Sequence, residues 1–160
     1  MKHTIFILAI LLLSCRSGGA QVPGKALGVR VSFAQDEKSF AGGEFSFQKD
    51  VGKIGRRETD FGWWSSNQWD VMKFTGLRQW KIIHKKRFNV YGGAGLGIGY
   101  IMYPFASNDF FATADLDMGL DYTFGFPIQI ALDWRPEWTI INNFGTRLGW
   151  DVGFAIRFGF

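Results

Sequence analysis

The sequence predicts an all-β fold, an eight-stranded antiparallel up-and-down barrel. Three observations carry that expectation. At the end of the chain Val152, Phe154, Ile156, Phe158 and Phe160 alternate with Gly153, Ala155, Arg157 and Gly159, and period-two alternation marks a strand between two unlike environments. The same alternation recurs along the chain between short polar or glycine-bearing segments. Aromatic residues reach 18% and glycines number 21, which suits strands with bulky side chains on one face and small ones on the other.

The first twenty residues read as a signal rather than as part of the fold. Met1, Lys2 and His3 give a positive start, Thr4 to Leu13 is uncharged and apolar, and Gly18, Gly19 and Ala20 supply small residues for cleavage. The expected division is a signal peptide over 1–20, cut after Ala20, and one β-barrel domain over 21–160. A competing reading takes Leu12-Leu13-Ser14-Cys15 as a lipobox and lipidates Cys15, although Leu13 is bulky for its place. Cys15 is the only cysteine, so the mature chain is expected to have no disulfide and no thiolate metal site. Lys2 and Arg16 leave with the signal, which lowers the +4 formal charge of the whole chain and argues against nucleic acid as a partner. Mean hydropathy is +0.00, and the mature sequence has no apolar run long enough for a helical span.

The strands follow in order. Ala26–Phe33 sets Leu27, Val29, Val31 and Phe33 against Gly28, Arg30 and Ser32. Ala41–Gln48 sets Phe45 and Phe47 against Glu44, Ser46 and Gln48. Arg57–Trp64 sets Thr59, Phe61 and Trp63 against Glu58, Asp60 and Gly62. Asp70–Trp80 sets Met72, Phe74 and Trp80 against Lys73, Thr75 and Gln79, with Leu77 and Arg78 breaking the pattern. Phe88–Ile101 sets Val90, Ala94, Leu96, Ile98 and Tyr100 against Asn89, Tyr91 and the glycines at 93, 95, 97 and 99. Phe111–Phe124 sets Ala112, Ala114, Leu116, Met118, Leu120 and Tyr122 against Thr113, Asp115, Asp117, Gly119 and Asp121. Ile128–Arg135 sets Ile130, Leu132 and Trp134 against Gln129, Ala131 and Asp133. The eighth strand is the terminal one, with Leu148 and Trp150 extending its apolar face.

Two arrangements of these faces are open. Apolar faces turned inward would make a lipocalin-like soluble binder of apolar ligands; turned outward, they make a transmembrane barrel with a polar lumen. The polar faces favour the second. They carry Arg30, Lys73, Arg135 and Arg157 with Glu44, Glu58, Asp60, Asp115, Asp117, Asp121, Asp133 and Asp151, opposite charges able to pair across a narrow interior. Aromatic residues also gather at both strand ends, as amphipathic rings do at two lipid–water interfaces. An even strand number leaves both termini on one side, the periplasmic side in such barrels. Segments 34–40, 65–69, 102–110 and 136–146 are then outer loops, and 49–56, 81–87 and 125–127 are periplasmic connections.

On these residues the chain resembles the small outer-membrane β-barrels of Gram-negative bacteria, the OmpX and OmpA-barrel type within the porin-like barrels of the cell envelope. The terminal Phe154, Ile156, Phe158 and Phe160 resemble the signal read by the barrel-assembly machinery. Phe61-Gly62-Trp63-Trp64-Ser65-Ser66-Asn67, Lys73-Phe74-Thr75-Gly76-Leu77, Tyr91-Gly92-Gly93-Ala94-Gly95 and the stretch Pro127 to Glu137 resemble a recurrent group of such barrels. The resemblance covers essentially residues 25–160 and implies the outer membrane, its lipids and lipopolysaccharide, and the assembly machinery and periplasmic chaperones as partners of a monomer. It supplies no catalytic motif.

No residue pattern points to catalysis, a cofactor or a metal. The glycines of Gly92–Gly99 fall on alternate positions rather than in a nucleotide loop. Asp115, Asp117 and Asp121 lack the remainder of an EF-hand. His84 lies in the basic run Lys81–Arg87, at the wrong end for a hydrolase at the outer rim. The expected function is structural or surface-interacting and non-enzymatic, with Trp64, Trp69, Tyr103, Phe105 and Trp138 as candidate outer-rim contacts or simply an aromatic girdle. A narrow cation-preferring conduit is the alternative, restrained by the small interior of an eight-stranded barrel.

Overall fold

The computed structural model describes residues 24–34, 40–65, 69–104, 107–141 and 148–160. The expected signal segment with Cys15, and Phe105, lie outside the described residues. Eight strands follow in order: β1 (Lys25–Ala34), β2 (Phe40–Val51), β3 (Gly55–Ser65), β4 (Asp70–Lys85), β5 (Phe88–Met102), β6 (Asp109–Thr123), β7 (Ile128–Ile141) and β8 (Leu148–Gly159). Each pairs antiparallel with the next, and β8 returns to β1 to close the barrel. Closure leaves no strand edge unpaired, the condition a sheet must meet to lie in lipid.

β4 and β7 run five or more residues further than the sequence pattern suggests, and β2 and β3 extend into the connection expected over 49–56, where 49–51 and 55–56 are strand. β4 continues past Trp80 to Lys85, across a bulge between Lys81 and Ile83, so that His84 pairs with Asn89 in the ladder. Residues 81–85, expected in a loop, are therefore strand. β7 continues past Arg135 to Ile141. Pro136 reads as a strand terminator because it has no N–H to give a ladder. Here the β6–β7 pairing is interrupted opposite Pro136 and resumes at Asp115–Glu137. Pairing with β8 continues straight through Pro136–Trp150.

A row of register partners leaving β1 at Phe33 runs through Val152, Trp134, Met118, Gly92, Trp80 and Gly55 to Val51, at the far end of the β1–β2 pairing. One circuit thus shifts about ten residues along the strands, which corresponds to a strand tilt of roughly 40°. Side chains on one row consequently climb the barrel wall from strand to strand.

The apolar faces point outward. Leu27, Val29, Phe45, Phe61, Phe74, Leu96, Ile98, Leu120, Leu132, Phe154 and Ile156 are all exposed on the wall. A continuous apolar band of this extent far exceeds what a water-soluble surface carries. The inside-out arrangement with a greasy pocket is therefore excluded by where these side chains point. Leu77 and Arg78, which break the alternation of β4, keep to its geometry: Leu77 is buried inside and Arg78 lies on the outer wall.

Candidate functional site

The interior is filled with charge. All twelve charged residues expected on the inner faces have buried side chains; Lys73 and Asp115 form a separate group with Glu137, and the other ten are linked in one network. Arg30, on β1, is its hub and is 0% exposed. Its Nη1 donates to Glu44 at 2.6 Å and its Nη2 to Asp151 at 2.6 Å, and Nε reaches Asp133 at 3.0 Å. Gly153, on the adjacent strand β8 two residues from the partner of Arg30, leaves space for that guanidinium, which occupies the place a β-carbon there would take.

Arg135 of β7 ties the far wall to the same hub. It donates to Asp60 at 3.0 Å and reaches Glu44 and Glu58 at 3.5 Å. Arg157 of β8 donates to Glu58 at 2.9 Å and to Ser46 at 2.9 Å. Gln79 bridges Glu58 at 3.0 Å and Asp117 at 2.5 Å, and Gln48 also donates to Glu58. Towards the loop end of the barrel, Lys73 joins Asp115 at 3.3 Å and Glu137 at 2.6 Å. Towards the turn end, Arg56 donates to Asp121 at 2.6 Å and lies 4.3 Å from the centre of the Tyr91 ring. Lys81 and Asp50 form a 2.8 Å pair at the turn end. Charged groups in a dry interior are tolerated when paired and hydrogen-bonded like this; each left alone is costly.

Four charged members of these lumen pairs are missing from the sequence-derived set. Arg56 lies one residue before the expected start of its strand. Glu137, Lys81 and Asp50 fall in segments expected to be loops. Continuing the alternation past Gln48, Trp80 and Arg135, and back one residue from Arg57, places all four on inner faces.

The loop end of the lumen is closed by apolar side chains. Trp64, Trp69, Val71, Ile101 and Phe111 form a buried cluster with Tyr103 packed against it. Trp64 and Trp69, expected at the outer rim as contacts or girdle, are instead 7% and 3% exposed. The reason is parity and space. Trp64 shares its strand face with Glu58, Asp60 and Gly62, and the Trp64 indole lies over Gly42 and Gly62, where any side chain would collide with it. Its Nε1 donates to Ser32 at 3.2 Å. Phe111 is accommodated in the same way over Gly99. Of the other rim candidates, Tyr103 is half-buried beside the cluster and Trp138 faces outward. Trp134, which the sequence pattern sets one residue from the end of its strand, lies further down the wall because β7 continues to Ile141.

On the wall, Trp63, Phe110 and Trp138 mark the loop end, with Phe110 against Tyr100 at 4.6 Å between ring centres. Trp80, Tyr122, Phe124, Phe126 and Phe160 mark the turn end, where Tyr122, Phe124 and Phe126 make successive ring contacts at 5.1 and 5.2 Å. Of the terminal segment, Phe154, Ile156 and Phe160 are exposed outward and Phe158 is half-buried on the same face. The Phe160 N–H donates to the carbonyl of Lys25 at 2.9 Å, so the last residue is tied to the first strand. Among the described residues no cluster of His, Cys, Asp or Glu is arranged to hold a metal ion. His84 lies at the turn end with its Nδ1 2.5 Å from Asn89 Oδ1, and Asn89 in turn donates to Asp121.

No protein-family model matches the chain, and no curated protein sequence matches it. Solved structures do. Neisserial surface protein A, NspA, superimposes with a TM-score of 0.68 at 11% identity, over 85% of this chain and 96% of that one. The N-terminal β-barrel domain of Pseudomonas aeruginosa OprF gives 0.61 at 14% identity, over 88% and 100%. The outer-membrane enzyme PagL gives 0.57 at 9% identity, over 84% and 99%. The fold is that of the small eight-stranded outer-membrane barrels.

Proposed function

We propose that the protein is an integral outer-membrane barrel of a Gram-negative bacterium with a structural or surface-interacting role and no enzymatic activity. One observation carries this reading: the lumen is packed with paired charges beneath an aromatic plug, so the chemistry available to a partner lies on the outer wall and in the loops. The signal over 1–20 directs export, both termini are periplasmic, and the loop end with Trp138 and Tyr103 faces outside. Lipopolysaccharide and surface ligands are the partners at that end. The barrel-assembly machinery, reading Phe160 and the alternating residues before it, and periplasmic chaperones act during biogenesis.

PagL shows that this fold hosts an outer-membrane enzyme. The non-enzymatic reading rests on the position of His84 at the turn end, inside a hydrogen-bonded chain to Asp121, away from the outer rim where a hydrolase would need its base. The conduit is the second reading, because lumen carboxylates outnumber lumen cations and any leak would favour cations. Purified protein in planar bilayers separates the two. Absence of conductance steps above the lipid baseline is expected, and steady cation-selective steps would overturn the closed-lumen reading.

A further inference from the structure

A row of cations lies on the outer wall, where the barrel is otherwise apolar. In register, Lys25 of β1 neighbours Lys49 of β2, Lys49 neighbours Arg57 of β3, and Arg57 neighbours Arg78 of β4. All four project outward: Lys25, Lys49 and Arg57 are exposed and Arg78 is half-buried. These are three consecutive like-charge pairs across adjacent strands, an arrangement that is destabilising unless something anionic lies along it. None of the four forms an ion pair with a carboxylate of the described residues.

The row also has a direction. Because the strands tilt, it rises about 3 Å per strand from the turn end into the apolar band. Arg78 stands highest, and its side chain bends back towards the turn end: the place of a β-carbon on Gly55 is 2.8 Å from Arg78 Nη2. Gly55 thus leaves a groove that holds the guanidinium itself, while the stem of Arg78 runs down the wall and carries that charge towards the interface. Arg57 and Arg78 present forked donors suited to phosphate oxygens, and Lys49 and Lys25 supply point charges. The outward positions of β5 to β8 at the same end are apolar, among them Val90, Leu120, Ile130 and Phe158, so the cations are confined to one wall.

We propose that this ladder binds the phosphate of an anionic glycerophospholipid in the periplasmic leaflet, its acyl chains lying on Phe47 and Trp80. The choice of leaflet rests on the orientation proposed above; the phosphate chemistry rests on the ladder alone.

The test uses the mature protein, extracted from vesicles of phosphatidylcholine with a minor fraction of phosphatidylglycerol, with bound lipid counted by native mass spectrometry. Wild type is expected to retain phosphatidylglycerol over phosphatidylcholine by about fivefold or more, the worth of one well-placed surface cation. Lys49→Gln/Arg57→Gln/Arg78→Gln should abolish the enrichment, and Arg57→Lys/Arg78→Lys should keep most of it. Removing equal charge from the β4–β5 turn, with Lys85→Gln/Lys86→Gln/Arg87→Gln, should leave it intact. Heat-dependent gel mobility certifies that each variant is folded. No enrichment in wild type, or equal loss in the ladder and turn variants, overturns the proposal. Orientation is read separately, by impermeant labelling of intact cells at cysteines placed in the loops or the turns. Labelling at the turns would overturn the orientation, and with it the assignment to a periplasmic-leaflet lipid, even with the enrichment preserved.

Discussion

Arg30→Met is the perturbation whose cost follows most directly from the lumen geometry. Arg30 is fully buried and is the only cation paired with Asp133 and with Asp151 among the described residues. Glu44 is less dependent on it, because Arg135 remains 3.5 Å away. Methionine replaces the aliphatic stem of the side chain but none of its donors, and so leaves two enclosed carboxylates without the cation that pairs with them. Breaking one buried pair from one side costs about 3–5 kcal/mol. Relaxation and water penetration around the stranded pair limit the sum, so the expected loss is about 4 kcal/mol rather than twice the single-pair figure. Equilibrium unfolding in urea from phospholipid vesicles, followed by tryptophan fluorescence, measures it. Arg30→Met/Asp133→Asn/Asp151→Asn removes the stranded charges and should recover more than half of the loss. A single variant within about 1 kcal/mol of wild type, or a triple variant no better than the single, would refute the idea that ion pairing holds the lumen.

Other expectations follow from the same packing. Gly153→Val places a side chain where the Arg30 guanidinium lies, so it should destabilise nearly as much as Arg30→Met in the same assay. Trp64→Ala should cost about 3 kcal/mol for a buried indole; in planar bilayers it should also raise the frequency of brief conductance events, since the plug then has a gap. Lys73→Met strands Asp115 and Glu137; unfolding should show a loss smaller than that of Arg30→Met, because Glu137 is part-exposed and reaches water. Deleting Phe160 removes an outward ring and one 2.9 Å backbone hydrogen bond. Refolded stability should fall by about 1 kcal/mol, while the amount reaching the membrane in cells, read by immunoblot, should fall several-fold.

Much of this architecture is legible in the sequence because the period of a strand is two and the two faces of a membrane barrel differ so sharply. Residues such as Arg30, Glu44, Asp133 and Arg157 declare their side by parity alone. Parity also places Trp64 inside, on the face of Glu58 and Asp60, but a tryptophan near a strand end reads as girdle when composition is weighed above alternation. What decides its position is the pair of glycines at 42 and 62, and Gly42 is on a neighbouring strand, visible only once register is known. Pro136 hid the end of β7 for a related reason. A missing N–H ends a strand that must pair on both sides, yet β8 goes on pairing with β7 past it. The partners within the lumen were not legible at all. Arg30 and Asp133 are 103 residues apart, and only closure of the barrel brings them together.

The account stands on a barrel turned apolar side out in an outer membrane. Outer-membrane fractions run on a denaturing gel, heated and unheated, test that directly. The account predicts the protein in that fraction, with an unheated band of distinct mobility that shifts on boiling as the closed sheet unfolds. A soluble periplasmic protein with one mobility in both lanes would contradict it.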